Sequence, residues 1–294
     1  MDRVVVLMST YNGEKYLNEQ IKSILEQKGV NVFLYVRDDG SNDSTKDILK
    51  KYKMIGKLDF FLGENIGPAK SFMELINGAP EGEYYAFSDQ DDVWEKDKLS
   101  TAVGLLKGIK NEGLYYHAMN IVDENLEKYG FYYRNEQYSK SMVNTILYGD
   151  EIAGCTMVFN KALLQRIREY KPNFITMHDG WIHRVCLSVG GAIIADRTPY
   201  INYRQHQNNV IGMKKGRISD KIKNIKRKNC FFSRLAIEML NGYSKYMKKK
   251  DVEIVRIMAN YNRNKVKAIR IVKQSNVSYN LKILTMTKIL LGIY

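Results

Sequence analysis

Three carboxylates stand within four residues, Asp89, Asp91 and Asp92, in the stretch Tyr84–Trp94, YYAFSDQDDVW. Like charges this close repel and raise one another's pKa values, unless a cation or a ring of donors holds them ionised. A divalent metal is the simplest such partner. Hard oxygen ligands suit Mg²⁺ or Mn²⁺, and magnesium characteristically binds through one or two carboxylates plus the phosphates of a substrate. The same acids also fit a helix N-terminus, where Asp91 or Asp92 would cap a segment starting near Glu95. Two further acid positions share this ambiguity between chemistry and capping: the pair Asp38 and Asp39 in RDDGSNDST, and Asp179 in TMHDGWIHR.

Such residues need rigid elements to aim them, and the sequence supplies an alternation of strands and helices. Arg3 to Met8 is a continuous β-branched and apolar run, followed by Tyr16, Leu17, Ile21, Ile24 and Leu25 at helical spacing up to Lys28 and Gly29. Val32 to Val36 predicts a second strand, after which Ser41 or Asp43 can cap a helix through Tyr52. Leu58 to Leu62 predicts a third, and Pro68 suits the first turn of a helix over Ala69 to Asn77. Tyr84 to Phe87 is the fourth strand, with Leu99 to Ile109 the helix after it. Strands separated by helices imply right-handed crossovers and a mostly parallel sheet that binds ligands at the carboxyl ends of its strands.

The polar clusters fall at those ends. Ser9, Thr10, Tyr11 and Asn12 follow strand one, Asp38 and Asp39 strand two, Asn65 strand three, and the acid triplet strand four. Four strand ends converging on one rim form a plausible nucleotide site, in which a carboxylate such as Asp39 accepts from a base imide or a ribose hydroxyl. Neither GxGxxG after strand one nor GxxxxGK[ST] is present, so phosphates must be neutralised by metal and side chains.

The segments STYNGEKYL, RDDGSNDST and SDQDDVW, in this order and spacing, resemble family 2 glycosyltransferases of the GT-A fold over about the first two thirds of the chain. The resemblance implies that Thr10 and Tyr11 pack on the base, that Asp39 bonds it with Asp38 as neighbour, and that Glu14 and Asn65 belong to the same nucleotide side. It implies that Asp89 and Asp91 are the acids of a DxD pattern, with Asp92 following, and that these bind ribose, diphosphate and Mg²⁺ or Mn²⁺. Asp179 occupies the position of a general base, which an inverting transfer needs to take the proton of the attacking acceptor hydroxyl. Related members often read HDWW, and Gly180 departs from that pattern.

On the acceptor side, Leu114 to His117 predicts a strand and the tyrosine-rich tract through Tyr138 an irregular loop. EIAGCTMVF, Glu151 to Phe159, resembles the family's acceptor-side strand, where the small Gly154 and Cys155 allow close approach of a ligand. Cys155 reads as a small hydrophobe, with no base positioned to make it a nucleophile. His178 and His183 are five apart, off the i, i+4 spacing of a helical zinc pair. His178 and Trp181 are assigned to the acceptor or diphosphate, with a core position as the alternative for Trp181. In YRQHQNNVIG, Arg204 and His206 are placed to meet the leaving diphosphate, and His206 joins the acids as a metal-ligand candidate. SDQDDVW and YRQHQNNVIG together resemble the bacterial rhamnosyltransferase subset, whose donor is dTDP-L-rhamnose. The QxxRW signature of processive synthases is absent, which favours addition of a single sugar.

Charge is unevenly placed. Residues 213–294 hold 21 Lys and Arg against 4 Asp and Glu, whereas the rest of this +14 chain is mildly acidic. The expected organisation is a catalytic domain over 1–212, divided into a nucleotide-sugar half (1–117) and an acceptor half (118–212), followed by a basic helical region (213–294). Ile218, Ile222 and Ile225, continued by Phe231, Phe232 and Leu235, step at helical spacing among lysines, which suits an anionic membrane surface or, equally, a solvated helical cap packed on the catalytic domain. Three scattered cysteines without a CxxC pair fit a reducing compartment, and no run reaches spanning length. A cytoplasmic enzyme, peripheral on the inner face of the plasma membrane, is the expectation. The rival is a non-catalytic protein that grips nucleic acid or membrane through its basic tail, for which no nucleic-acid-binding motif is present.

Overall fold

Arg3–Thr10 forms strand β1 at the centre of a nine-stranded sheet. The computed structural model of the chain describes residues 1–135, 140–148, 152–206 and 231–294. Because side chains alternate across a strand, one apolar run serves two cores. Val5 and Leu7 point into one, Val4, Val6 and Met8 into the other, and a strand buried on both faces reads as continuous hydrophobics.

Strands β2 (Asn31–Asp38), β3 (Leu58–Leu62) and β4 (Tyr84–Ser88) run parallel to β1 in the order β3-β2-β1-β4. Helices α1 (Leu17–Leu25), α2 (Thr45–Met54) and α3 (Pro68–Gly78) make the crossovers. The chain moves outward from β1 to β3, then returns to the other side of β1 for β4. That reversal opens a crevice beyond the carboxyl ends of β1 and β4, where open α/β sheets bind ligands. Register aligns the rim: Thr10 pairs with Asp38, Asp38 with Leu62, and Met8 with Ser88.

Beyond β4 the sheet is mixed. A short β5 (Val93–Trp94) and α4 (Lys98–Leu106) lead to the long β6 (Gly113–Val122), which forms an antiparallel hairpin with β7 (Lys128–Tyr132). The tyrosine-rich tract expected to be irregular is therefore largely sheet, although residues 136–139 lie outside the described residues. The expected division at 117/118 falls inside β6. Helix α5 (Met142–Tyr148) follows, then a 3₁₀ turn over Gly154–Thr156 and β8 (Val158–Asn160), so only the last residues of the expected acceptor-side strand pair as a strand. β8 is antiparallel to β4, which brings that turn to the rim where β4 ends. Helices α6 (Lys161–Arg168) and α7 (His178–Ser188) precede β9 (Ala192–Arg204), which is parallel to β6 and finishes at the same rim.

Four helices follow: α8 (Phe231–Tyr243), α9 (Lys249–Ala259), α10 (Lys265–Gln274) and α11 (Tyr279–Leu291). They continue the core of the catalytic body. Ala236, Met239, Tyr243, Val255 and Ile289 belong to the same buried cluster as Val5 and Trp181. The amphipathic stretch read over Ile218 to Ile225 lies outside the described residues.

Candidate active site

The loop after β1 is fixed from two directions. Asn12 takes the left-handed conformation (φ 48°), which asparagine tolerates better than most residues. Its backbone N–H donates to Ser41 Oγ (2.9 Å), and its side-chain oxygen accepts from Asn42 N (2.9 Å). From the other direction the Gln90 amide clamps Tyr11: Tyr11 N donates to Gln90 Oε1 (2.9 Å) and Gln90 Nε2 donates to Tyr11 O (3.1 Å). A Cβ at Gly13 would meet Gln90 Oε1 at 2.3 Å, so the glycine is needed for close approach. Tyr11 itself is 44% exposed on the rim, as a platform for a ring requires.

Asp38 is buried and structural. It accepts from Ser41 N (3.0 Å) and more distantly from Thr10 Oγ1 (3.4 Å). Asp39 accepts from Ile66 N (3.0 Å) and Gly67 N (2.9 Å) and pairs with Arg37, so it anchors the start of α3. Of its roughly four lone-pair sites, these donors leave about one on Oδ2 for a ligand. Asn65 is exposed beside it, and Gly40 (φ +85°) lets the two loops approach. Glu14 departs from its nucleotide-side assignment. Its carboxylate accepts from Ser44 N (2.9 Å) at the start of α2, on the exposed side of the loop.

At the end of β4, Asp89, Asp92 and the Cys155 thiol bring their ligand atoms within 4.8 Å of one another. The Asp89 carboxyl is pushed up to about 7, first by burial and then by the charges of Asp91 and Asp179. Asp92 is raised well above the usual range by burial, with Asp91 and Asp89 adding to it. Asp92 Oδ1 accepts from Arg204 N (3.1 Å), while its buried Oδ2 has no hydrogen-bond partner among the described residues. Two crowded carboxyls and an orphaned buried oxygen fit a hard divalent cation. Cys155 is the poorest ligand of the three for such a cation. Its sulfur is soft where the cation is hard, and without a metal burial pushes the thiol well above the ordinary range. Asp91 turns aside to His206, whose Nε2 lies 2.7 Å from Asp91 Oδ2. The capping alternative for the triplet does not describe the fold: α4 begins at Lys98, and its N-cap is Asp97.

Asp179 lies in the first turn of α7, inside the helix rather than at its N-cap, which is Met177. Its Oδ2 accepts from Gly154 N (3.1 Å) and its Oδ1 from Gly180 N (2.7 Å). The turn it bonds continues into Cys155, whose thiol lies within 4.8 Å of the Asp89 and Asp92 ligand atoms, so Asp179 stands beside the acid cluster. Gly154 is small for a different reason than close approach of a ligand: a Cβ there would meet His178 Nε2 at 2.7 Å.

Three acceptor or diphosphate assignments change. His178 is buried, stacked on Phe72 (3.9 Å between centroids) and edge-on to Phe87; burial lowers it to about 3, so it is a neutral packing group. Trp181 is 0% exposed, between Tyr170 (6.2 Å) and Tyr243 (5.9 Å), and cannot meet a sugar. Trp181→Ala is therefore expected to cost about 3–5 kcal/mol of stability, read from a urea melt, as for other buried large-to-small changes. Retained stability with weakened acceptor binding would restore the stacking role. Arg204 is also buried. It donates to the Asp91 carbonyl (2.8 Å) and the Glu124 carbonyl, pairs with Glu19, and lies 4.5 Å over the Tyr16 ring, tying β9 to the acid loop.

Several residues escaped the sequence reading. Lys98 is fully buried, with Nζ 3.5 Å from the Trp94 ring centroid and donating to the Cys155 carbonyl. Burial lowers it to about 7 against the opposing pull of Cys155, Asp92 and Asp89. Its signal was positional: Lys98, Ala102 and Leu106 share one helical stripe that is otherwise apolar. Arg37 was legible only as an inward position of β2, yet it joins Asp39, Glu74 (2.7 Å) and the Glu64 carbonyl (3.1 Å). Tyr203 sits near the acids, its phenol pushed up by burial and then by Asp89.

Residues 5–167 match the family model described as Glycosyl transferase family 2. The chain is 31% identical over 220 residues to the dTDP-rhamnosyl transferase RfbG of Shigella flexneri, covering 70% of this chain and 73% of that protein. The crystal structure of S. aureus TarS 1–349 in complex with UDP-GlcNAc superposes with a TM-score of 0.62 at 18% identity, over 99% of this chain and 82% of that 1–349 chain. The mannosyltransferase PcManGT from Pyrobaculum calidifontis, in complex with GDP-Man and Mn²⁺, gives a TM-score of 0.54 at 17% identity, over 100% and 81% of the two chains. With the strand-end rim, the acid cluster and these likenesses in agreement, the chain belongs to glycosyl transferase family 2 and is a glycosyltransferase of the GT-A fold.

Proposed function

We propose that this enzyme moves a single L-rhamnose from dTDP-L-rhamnose to a hydroxyl of a glycan or lipid-linked acceptor in bacterial surface polysaccharide synthesis, with inversion at the anomeric carbon. A hexose from a UDP-sugar is the rival donor. The observation that carries the reading is the Gly154–Cys155 turn, which bonds Asp179 through its first residue and brings its second against Asp89 and the unsatisfied Asp92. The rhamnosyl donor is supported by the likeness to RfbG over 220 residues.

In this reading the base lies on Tyr11 and bonds the remaining site on Asp39, and Asp89 and Asp92 would hold Mg²⁺ or Mn²⁺, with Asp91 and His206 beside them. The ion supplies charge neutralisation at the departing diphosphate. Asp179 takes the proton of the acceptor hydroxyl as its oxygen bonds to the anomeric carbon, while the bond to the diphosphate breaks on the opposite face. The Gly154 N–H, donating to Asp179, aims the carboxylate. The work is assigned to the cytoplasm at the inner face of the plasma membrane; no helix among the described residues is long and apolar enough to cross it.

Thermal stabilisation by dTDP, UDP, GDP and CMP, each with and without Mn²⁺, tests the donor class. A ligand at 100 times its dissociation constant adds about 2.7 kcal/mol. The expected result is a metal-dependent upward shift that is largest for dTDP. A larger shift with UDP would replace rhamnose by a UDP-hexose, and no shift with any nucleotide would overturn the site.

A further inference from the structure

Helix α11 has its apolar residues on the wrong side for an ordinary surface helix. Thr285 and Ile289 face the protein, whereas Ile283, Leu284, Leu290 and Leu291 are exposed, the last two at 59% each. Together with Asn280 and Thr287 they recur at i, i+3, i+4 and i+7 spacing, which makes one continuous outward stripe. Tyr279 at 76% exposure extends it toward the start of the helix, and nothing among the described residues covers it. Scattered exposed leucines are ordinary on a soluble protein, but a contiguous row along one helix marks an interaction surface.

The neighbouring helix supplies charge. Helix α10 lies antiparallel to α11, as two bonds show: Lys265 Nζ donates to the Leu290 carbonyl (2.7 Å) and Lys282 Nζ to the Lys273 carbonyl (3.0 Å). The exposed residues of α10 include Lys267, Arg270 and Lys273, with Val266 among them. Residues 265–294 contain six Lys and Arg and no Asp or Glu. Such a hairpin matches the two components of an anionic lipid surface: acyl chains for the leucine row and headgroup phosphates for the cations. A nucleic acid would satisfy the charges and leave the leucines in water. A helix of 13 residues is about 20 Å long, so it would lie in the interface rather than cross the bilayer.

We infer that the α10–α11 hairpin is a monotopic docking surface for an anionic membrane. The hairpin is joined to the acceptor side of the active site. Tyr148 at the end of α5 is bonded to Ser275 (2.6 Å), the Ile146 carbonyl accepts from Tyr294 Oη (2.6 Å), and Arg184 of α7 donates to the Thr145 carbonyl (3.0 Å). Helix α7 begins with Asp179. Docking thus holds the base side of the cleft next to the layer that would carry a lipid-linked acceptor, a consequence that rests on the transfer proposed above.

The test is co-sedimentation of the full chain with vesicles of phosphatidylglycerol and phosphatidylcholine in equal parts, against phosphatidylcholine alone. Binding to the mixed vesicles is expected, lowered about tenfold or more by the combined Ile283→Gln, Leu284→Gln, Leu290→Gln and Leu291→Gln variant. Lys267→Gln, Arg270→Gln and Lys273→Gln together should reduce the preference for anionic over neutral vesicles roughly tenfold or more. Both sets are exposed, so the melting temperature should hold. Failure of the wild-type chain to bind would overturn the inference. So would binding that the leucine substitutions leave unchanged, which would assign the surface to polyanions in general. A leucine-dependent dimer that persists while vesicle binding is absent would assign the row to a second copy instead. The vesicles contain neither acceptor nor nucleotide, so this result is independent of the nucleotide-stabilisation test of the site.

Discussion

Asp179→Asn is expected to lower sugar transfer by about 10²- to 10⁴-fold, the usual contribution of a positioned general base. The amide keeps the shape of the carboxylate, and its oxygen can still accept from Gly154 N or Gly180 N. The helix start should therefore survive, and donor binding with it. Stabilisation by the nucleotide with Mn²⁺ is the control that separates lost chemistry from a damaged site. If transfer persists within severalfold of the wild-type rate, Asp179 is only a fastener between α7 and the Gly154 turn. The proton of the acceptor must then leave by another route.

The acid cluster gives the second large effect, with opposite signs for stability and function. Between pH about 4 and 7 the folded chain binds more protons at Asp89 than the unfolded chain does, because its carboxyl is pushed up to about 7. Metal-free stability should therefore be full at low pH and fall as pH rises through 7. Asp89→Asn removes that penalty and should stabilise the metal-free protein at pH 8 by on the order of 2 kcal/mol. Partial exposure of Asp89 lets water screen part of its charge, which keeps the figure modest. The same substitution, like Asp92→Asn, should abolish the metal-dependent part of nucleotide stabilisation. Melting curves at pH 5 and pH 8, with and without Mn²⁺, show both effects. A destabilised Asp89→Asn protein at pH 8 would mean that Lys98 or another cation already compensates the carboxylate.

The donor side was legible because each piece of it is local. An apolar run followed by polar residues announces a strand end, and the four parallel strands align those ends by register alone. β3 was read with the bounds the structure gives it, and α3 starts at the proline expected in its first turn. The acceptor side was less legible because long-range packing decides it. Trp181 is a core residue because Tyr243, some sixty positions later, covers it, and no local pattern reveals that partner. Arg204 looked like a free cation beside a diphosphate, yet its partners, Glu19 of α1 and Glu124 of the β6–β7 turn, are distant in sequence. Lys98 was overlooked because a lysine at a helix start is usually solvated, and only the buried neighbours on its stripe argue otherwise. Gly180, where relatives often carry an aromatic, follows the same logic. It is buried in the first turn of α7, beside the core residue Trp181.

The basic helices and the catalytic body share one hydrophobic cluster, and this limits how the enzyme can be modified. Trp181, in the helix that carries Asp179, packs on Tyr243, whose hydroxyl donates to the Arg166 and Ile167 carbonyls. Glu238 likewise accepts from Tyr170 Oη (2.8 Å) and Asn173 N (3.0 Å) just ahead of that helix. The tail is thus not a module that can be trimmed or exchanged at a linker. A chimaera that exchanges α7 with a relative's must transplant it together with the helices that cover it, because cutting between them exposes the aromatic seam on both fragments. The rim loops that follow β1 to β3 are bonded to one another rather than to that seam, so they can be exchanged without opening it.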